Sequence, residues 1–319
     1  MLISVILEWE NALMSELGRT ELMLSSLYRQ SVKVSDDFEL IIVFDPNKVK
    51  KDFIKKFVLK EIPTESKFNQ DCIHFIERQG LHYFSFKNTG VQEARGQAVL
   101  LVDSDVIPEE DWLPKLLEAH YQHSDGLVSG LTYIDFSNFI GKCFALCWFF
   151  PLPSSSQSLV PTDLIFSNNF LVSRNILLQN PYPEMQEGVT RGADTLLWKR
   201  MREKHIPFYV HHGARVSHPA PNGVSHFFTR ALAEGRDDYL KFFENEFKRS
   251  NPRISFIKTY LLRSWKCIQR TLKNRRVVNV NWWQSPFVIL TMLTYYLTYF
   301  VGGVCTMILP QHAKKAWQI

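Results

Sequence analysis

The sequence predicts an α/β fold: a mostly parallel, Rossmann-like sheet flanked by helices, followed by a helical extension and a membrane segment. Three observations carry this reading. Apolar runs without polar interruption recur at 3–7, 40–44 and 98–102, as strands buried on both faces do. Helical stretches separate them, which implies parallel pairing through right-handed crossovers. Residues 286–309 hold no charged side chain.

The first strand is Ile3–Leu7, and a helix follows around 16–30 with Leu17, Met23, Leu27 and Tyr28 on one stripe. The second strand, Leu40–Phe44, is closed by the turn signal Asp45-Pro46-Asn47. Residues 72–76 and 83–86 read as short strands, 90–97 as helical, and 98–102 as the third strong strand. Beyond 126 the pattern is less regular: strands at 126–134 and 165–172, a Ser/Pro loop at 154–162, and helices at 194–204 and 222–248. In 254–273 apolar residues step by three or four while Lys258, Arg263, Lys266 and Arg270 lie largely elsewhere on the wheel. A basic amphipathic helix of this kind suits a membrane interface or the surface of its own domain.

The uncharged run at 286–309 is long enough, at about 1.5 Å per residue, to cross a hydrocarbon core of about 30 Å. Trp282, Trp283 and Trp317 flank it as interfacial anchors. One spanning helix is expected, with a re-entrant or in-plane segment as the alternative. The implied organisation is an α/β domain at 1–218, a basic extension at 219–281 and a membrane segment at 282–319.

Composition narrows the class further. With 45% apolar and 22% charged residues, a packed core is expected and wholesale disorder is excluded. The net charge of +5 hides an asymmetry, because no Asp or Glu follows Glu246 whereas twelve Lys and Arg do. An acidic body with a basic, aromatic tail suits an anionic membrane better than nucleic acid. The five cysteines include no CxxC pair and no secretory leader is apparent, so reduced thiols are expected, with Cys143 and Cys147 as core residues. The excess of basic residues before the apolar run then keeps the α/β domain cytoplasmic at the cell membrane.

Ligands bind at the carboxyl ends of strands in such sheets, and Glu8, Asp45, Asp103 and Asp105 all fall there. Alternate carboxylates in Asp103-Ser104-Asp105 can converge on one hard cation, Mg²⁺ or Mn²⁺, which takes oxygen ligands alongside substrate phosphates. A solvated turn capping the next helix is the other reading of the same tripeptide.

The order and spacing of several segments resemble family 2 glycosyltransferases. They are Asn88-Thr89-Gly90-Val91-Gln92-Glu93-Ala94-Arg95-Gly96, the strand 98–102, Asp103-Ser104-Asp105-Val106-Ile107-Pro108, Ser167–Arg174 and Gly192–Met201. The resemblance covers roughly residues 1–218. It implies a GT-A fold and inverting, metal-assisted in-line transfer of a hexose-type sugar from a nucleotide-diphosphate donor. A membrane-proximal or lipid-linked acceptor would place the enzyme in polysaccharide or glycolipid synthesis. It also implies roles: Asp105 binds the metal, with Asp103 on the ribose or the metal and His218 as a third contact. Glu8, Asp45, Asn88 and Arg95 lie at the nucleotide, and Asp194 is the general base.

The chain departs from the family at Glu8-Trp9, Phe44-Asp45 and Ala193-Asp194, and it lacks the Gln-x-x-Arg-Trp motif of processive members. Single or few transfers follow from that last absence. Two other classes share parts of the pattern. A nucleotidyltransferase needs a basic Gly-rich loop, whereas 8–20 is acidic with only Gly18. A non-catalytic, membrane-associated nucleotide-sugar-binding protein would have no need of carboxylates at three strand ends.

Overall fold

The computed structural model describes the whole chain except residues 61, 186–188, 190, 244–247 and 318–319. It divides into two compact units. The first comprises Met1–Thr132, Ser154–Pro183 and Asp194–His218; the second comprises Tyr133–Pro153, Glu184–Ala193 and Pro219–Ile319.

The elements run β1 (Leu2–Glu8), α1 (Glu10–Met14), α2 (Leu17–Ser31), β2 (Asp37–Phe44), α3 (Lys51–Leu59), β3 (Ile73–Glu77), α4 (Tyr83–Glu93), β4 (Ala98–Val102), β5 (Ile107–Pro108), α5 (Trp112–Gln122) and β6 (Leu127–Ile134). They continue with α6 (Phe139–Cys147), β7 (Leu159–Pro161), β8 (Asn169–Ser173), α7 (Arg174–Gln179), α8 (Ala193–Glu203), β9 (Phe208–His218), α9 (Gly223–Lys241), α10 (Pro252–Asn274), α11 (Ser285–Ile308) and α12 (Pro310–Lys315).

The strands form one sheet in the order β3-β2-β1-β4-β8-β6-β9-β5, with β7 also paired to β9. The half from β3 to β4 is parallel, as expected. From β4 onward the described pairings β4–β8, β6–β8, β5–β9 and β7–β9 are antiparallel. Successive side chains of the parallel strands alternate between two cores. Ile3, Val5, Leu7, Leu40, Ile42 and Leu100 join Met23 and Leu27 of α2 and Trp112 and Leu116 of α5. Ile6, Ile41, Val43, Val99 and Leu101 join Phe86 of α4 and Leu197, Trp198 and Met201 of α8. Both faces are covered, which is why these strands read as unbroken apolar runs.

Three local expectations are corrected. Tyr83–Phe86 is the first turn of α4, not a strand, and that helix ends at Glu93 rather than running over 90–97. Its packing explains the choice. Phe86 is buried against the sheet, and a Cβ on Gly90 would sit 2.3 Å from Ile6 Cγ2, so Gly90 lets the helix press on β1. The loop at 154–162 contains the short strand β7. The strand β9, which carries the expected site residue His218, has no clear period in the sequence.

The second unit is helical. Gly235 of α9 faces the backbone of α11, where an added Cβ would lie 1.9 Å from the Tyr299 carbonyl oxygen. One face of α11, including Val288, Met292, Tyr295, Tyr299 and Gly303, is buried. Phe287, Leu290, Leu297, Val301 and Ile308 on the same helix are exposed. Among the described residues one helix, Trp282–Ile308, is long and apolar enough to cross a membrane, with a mean hydropathy of 1.6. Cys143 and Cys147 are buried core residues of this unit.

Candidate active site

Strands β1, β2 and β4 point the same way, so the residues that follow them gather at one edge of the sheet. Strand β4 is wholly buried and releases the chain at Asp103, whose N–H donates to the Asn168 carbonyl at 3.1 Å. Asp103, Ser104 and Asp105 remain buried after the strand ends. This excludes the solvated turn.

Each carboxylate has its own support. Asp103 Oδ1 accepts from Lys87 Nζ at 2.6 Å and from the Tyr83 hydroxyl at 2.7 Å. Tyr83 and Lys87 are four residues apart on α4, so one helix face delivers both donors. Lys87 is itself buried and also donates to the Ser167 carbonyl at 2.7 Å. Asp105 Oδ2 accepts from Ser15 Oγ at 2.8 Å, while its Oδ1 is buried without a hydrogen-bond partner among the described residues. Arg19 donates from Nε to the Asp105 carbonyl at 2.8 Å and from Nη2 to the Ser217 carbonyl at 2.9 Å.

The antiparallel register sets Ile107 opposite Ser217, which brings His218 alongside the turn after Asp105. Asp103, Asp105 and His218 each present a ligand atom, and these atoms lie within 4.8 Å of one another. Glu8, at the end of β1, is fully buried beside them. Its Oε2 accepts the Asn11 N–H at 3.1 Å, and its Oε1 has no partner among the described residues.

Burial, then the charge of Asp103, pushes the Glu8 carboxyl well above the usual carboxylate range, against the pull of Lys87. Burial likewise raises Asp105, opposed by His218 and reinforced by Asp103. Crowded carboxylates in a dry site disfavour ionisation, and a bound cation reverses that balance. The partnerless Asp105 Oδ1 and the two-carboxylate, one-imidazole donor set fit a divalent metal.

The other expected residues fall in different places. Asp45 follows β2 and is held as a turn clamp: Oδ1 accepts the Asn47 N–H at 2.9 Å and Oδ2 the Gly80 N–H at 3.1 Å. Those two bonds lower its carboxyl below the ordinary value. Asp194 lies half-buried in the first turn of α8, with Oδ1 accepting the Thr195 N–H at 2.7 Å. Its charge, after burial, contributes to the raised hydroxyl of Tyr182, which also feels Asp103.

Two residues expected at the nucleotide are engaged elsewhere. The Asn88 amide clasps one peptide stretch, donating from Nδ2 to the Tyr182 carbonyl and accepting the Tyr182 N–H, each at 2.9 Å. Arg95 is exposed before β4, so that five-residue strand, about 16 Å at roughly 3.3 Å per residue, separates it from Asp103. Its backbone N–H donates to Glu39 Oε1 at 2.6 Å. Lys87, Tyr83, Ser15, Arg19 and Tyr182 are the residues that sequence reasoning missed. The four-residue spacing of Tyr83 and Lys87 would have flagged that pair had the segment been read as helical.

Residues 18–150 match the family model described as "Glycosyl transferase family 2". The chain carries a family 2 glycosyltransferase domain. The fold agrees. The chain is similar to a mannosyltransferase, PcManGT from Pyrobaculum calidifontis, solved in complex with GDP-Man and Mn²⁺. In that case the TM-score is 0.57 and the identity 12%, over 97% of this chain and 87% of that one. It is also similar to GalNAc-T7, solved with UDP, GalNAc and Mn²⁺, with a TM-score of 0.51 and 11% identity over 81% of this chain. The chain spans 54% of the length of GalNAc-T7. At these identities the likeness establishes the fold, which is of the GT-A type. No curated protein sequence is similar enough to count as a relative. Within the family 2 domain, β4 and the Asp103-Ser104-Asp105 turn fall inside the matched residues.

Proposed function

We propose that the chain transfers a hexose-type sugar from a nucleotide-diphosphate donor to a membrane-proximal or lipid-linked acceptor, with inversion. The observation that carries this reading is the convergence of Asp103, Asp105 and His218 around a carboxylate oxygen with no partner among the described residues, with Asp103 and Asp105 inside the residues matched to the family 2 model. Mn²⁺ or Mg²⁺ held by Asp105, Asp103 and His218 would neutralise charge on the departing diphosphate.

The chain's own residues do the rest. Lys87 and Tyr83 fix Asp103 in one orientation, so Asp103 meets the metal or the ribose without reorganising. Asp45 stays ionised and offers acceptor lone pairs to the nucleotide. Glu8 lines the same edge and hydrogen-bonds the base. Asp194 takes the proton of the acceptor hydroxyl. The freed oxygen attacks the anomeric carbon opposite the diphosphate, so configuration inverts without a covalent enzyme intermediate.

The acceptor class rests on the second unit. The exposed apolar side chains Ile254, Leu261, Trp265, Phe287, Leu290 and Leu297 lie in a region with no carboxylate after Glu246. Apolar area beside basic charge supports association with an anionic membrane, and the basic residues before Trp282 support a cytoplasmic catalytic domain.

The test is transfer from a panel of nucleotide-diphosphate sugars into purified membranes, with Mn²⁺ and with a chelator. Transfer from one donor that stops in chelator is expected. Full transfer in chelator overturns the metal role, and no transfer from any donor overturns the reading.

A further inference from the structure

The second unit holds a set of buried charges with no part in the reaction above. Its three carboxylates are engaged. Glu234 accepts from Arg263 and from the Tyr295 hydroxyl. Asp237 pairs with Arg236 at 2.8 Å, and Asp238 with Lys241 at 3.0 Å and Arg263 at 2.7 Å. Arg191 and Arg230 lie in the field of the same cluster, so among the described residues it carries five cationic side chains against three carboxylates.

The surplus has open donors. Arg191 Nη1, Arg230 Nε and His226 Nε2 are buried and have no hydrogen-bond partner among the described residues. A buried N–H left unpaired is costly, and more so when charged, so three in one place call for an acceptor. The imidazole tautomer is set by the backbone: Nδ1 accepts the Asn222 N–H at 3.2 Å, which leaves the proton on Nε2. Burial, then Arg230 and Arg191, pushes His226 down to about 4, so at neutral pH it is an uncharged donor. His226 and Arg230 are one turn apart on α9, and the Arg230 guanidinium is held with Cζ 5.1 Å from the Trp148 ring centroid. Both residues lie in the first turns of α9, a helix of 19 residues that begins at Gly223. The positive end of the helix dipole therefore adds to the same region.

We propose that Arg191, His226 and Arg230, at the N-terminal turns of α9, form a binding site for a phosphate-class anion, a phosphomonoester or a diphosphate. Two guanidinium forks match several oxygens of one tetrahedral group, and a charge of about −2 balances the surplus of two cations. The chemistry has two sources in a sugar-transfer enzyme: the diphosphate of the donor or a phosphate on the acceptor. Arg191 precedes Asp194 by three residues, so the site is linked in sequence to the proposed base. Binding of the anion does not depend on the sugar-transfer reading, and its failure is distinguishable from failure of that reading.

The experiment is isothermal titration of the full chain with inorganic diphosphate, a nucleoside diphosphate and farnesyl phosphate, all in EDTA so that no metal contributes. Wild type binds inorganic diphosphate. Arg230→Gln and Arg191→Gln each weaken it by about tenfold or more, as loss of a charge-assisted hydrogen bond requires. Arg230→Lys, which keeps the charge and the fold, gives an intermediate loss. Farnesyl phosphate weakened in parallel assigns the site to the acceptor; the nucleoside diphosphate weakened in parallel assigns it to the donor. No binding by wild type, or equal affinity in wild type and all three variants, overturns the proposal.

Discussion

Lys87 Nζ lies 2.6 Å from Asp103 Oδ1, with both side chains buried. This pair joins the central helix of the site to the residue that opens it. Removing one partner of a buried pair costs about 3–5 kcal/mol because the other charge is stranded. Lys87→Met is therefore expected to destabilise the chain by that amount in denaturant unfolding. The double variant Lys87→Met with Asp103→Leu should recover most of the loss. Equal stability of Lys87→Met and wild type would contradict the buried pairing.

Asp105→Asn keeps the Ser15 contact available and removes the charge. Mn²⁺ binding, followed by electron paramagnetic resonance, should weaken, and transfer should fall by about 100-fold or more, since charge stabilisation at a departing group supplies several kcal/mol. Unchanged Mn²⁺ binding would remove Asp105 from the metal site.

Asp194→Asn is expected to lower turnover by at least about 100-fold while leaving the affinity for the nucleotide-sugar donor intact. Loss of donor affinity with unchanged turnover would assign Asp194 to binding instead of proton transfer.

Arg95→Ala, at an exposed position before β4, should leave donor affinity and turnover within about twofold of wild type, as surface substitutions do. A tenfold loss in donor affinity would mean that the guanidinium reaches the nucleotide.

Asp238 links acid stability to the second unit. Burial alone would raise its carboxyl, but Arg263 and Lys241 outweigh burial and bring it down to about 2. A depressed carboxylate contributes stability that is complete above its unfolded value of about 3.8 and is lost as pH falls towards 2. Wild type should therefore lose roughly 2 kcal/mol over that window from this group. Asp238→Asn should be less stable at pH 6 and show a flatter decline below pH 4 in denaturant titrations. Parallel curves for the two proteins would refute the linkage.

The parallel half of the sheet was legible because its strands are covered on both faces, so Ile3–Leu7, Leu40–Phe44 and Ala98–Val102 leave unbroken apolar runs. Topology then brought Glu8, Asp45 and Asp103 to one edge without any knowledge of side-chain contacts. The antiparallel half was obscure for the opposite reason. Most of β9 is partly exposed and mixes Tyr, His, Gly and Arg, so it shows neither alternation nor a continuous run. Tyr83–Phe86 misled because a four-residue aromatic run fits a strand as well as a helix, and only the packing of Phe86 and Gly90 on β1 decides. Arg95 is close to Asp103 in sequence, yet a whole strand lies between them in space. Lys87 was invisible because a lysine in a sequence is read as solvated until its partner is known.

Arg19 holds the Asp105 carbonyl and the Ser217 carbonyl with one guanidinium. The two candidate ligands that flank those carbonyls are more than a hundred positions apart in the chain, yet their separation is gauged by a single planar fork. Insertions in the long excursion between them leave the spacing at the cation unaltered where they spare Ser167 and Asn168, whose carbonyls hold Lys87 and the Asp103 N–H. One-residue changes between Ser15 and Arg19, or between Asp103 and Ile107, have no such freedom. A lineage built on this chain can rework its acceptor side extensively while the donor side stays calibrated.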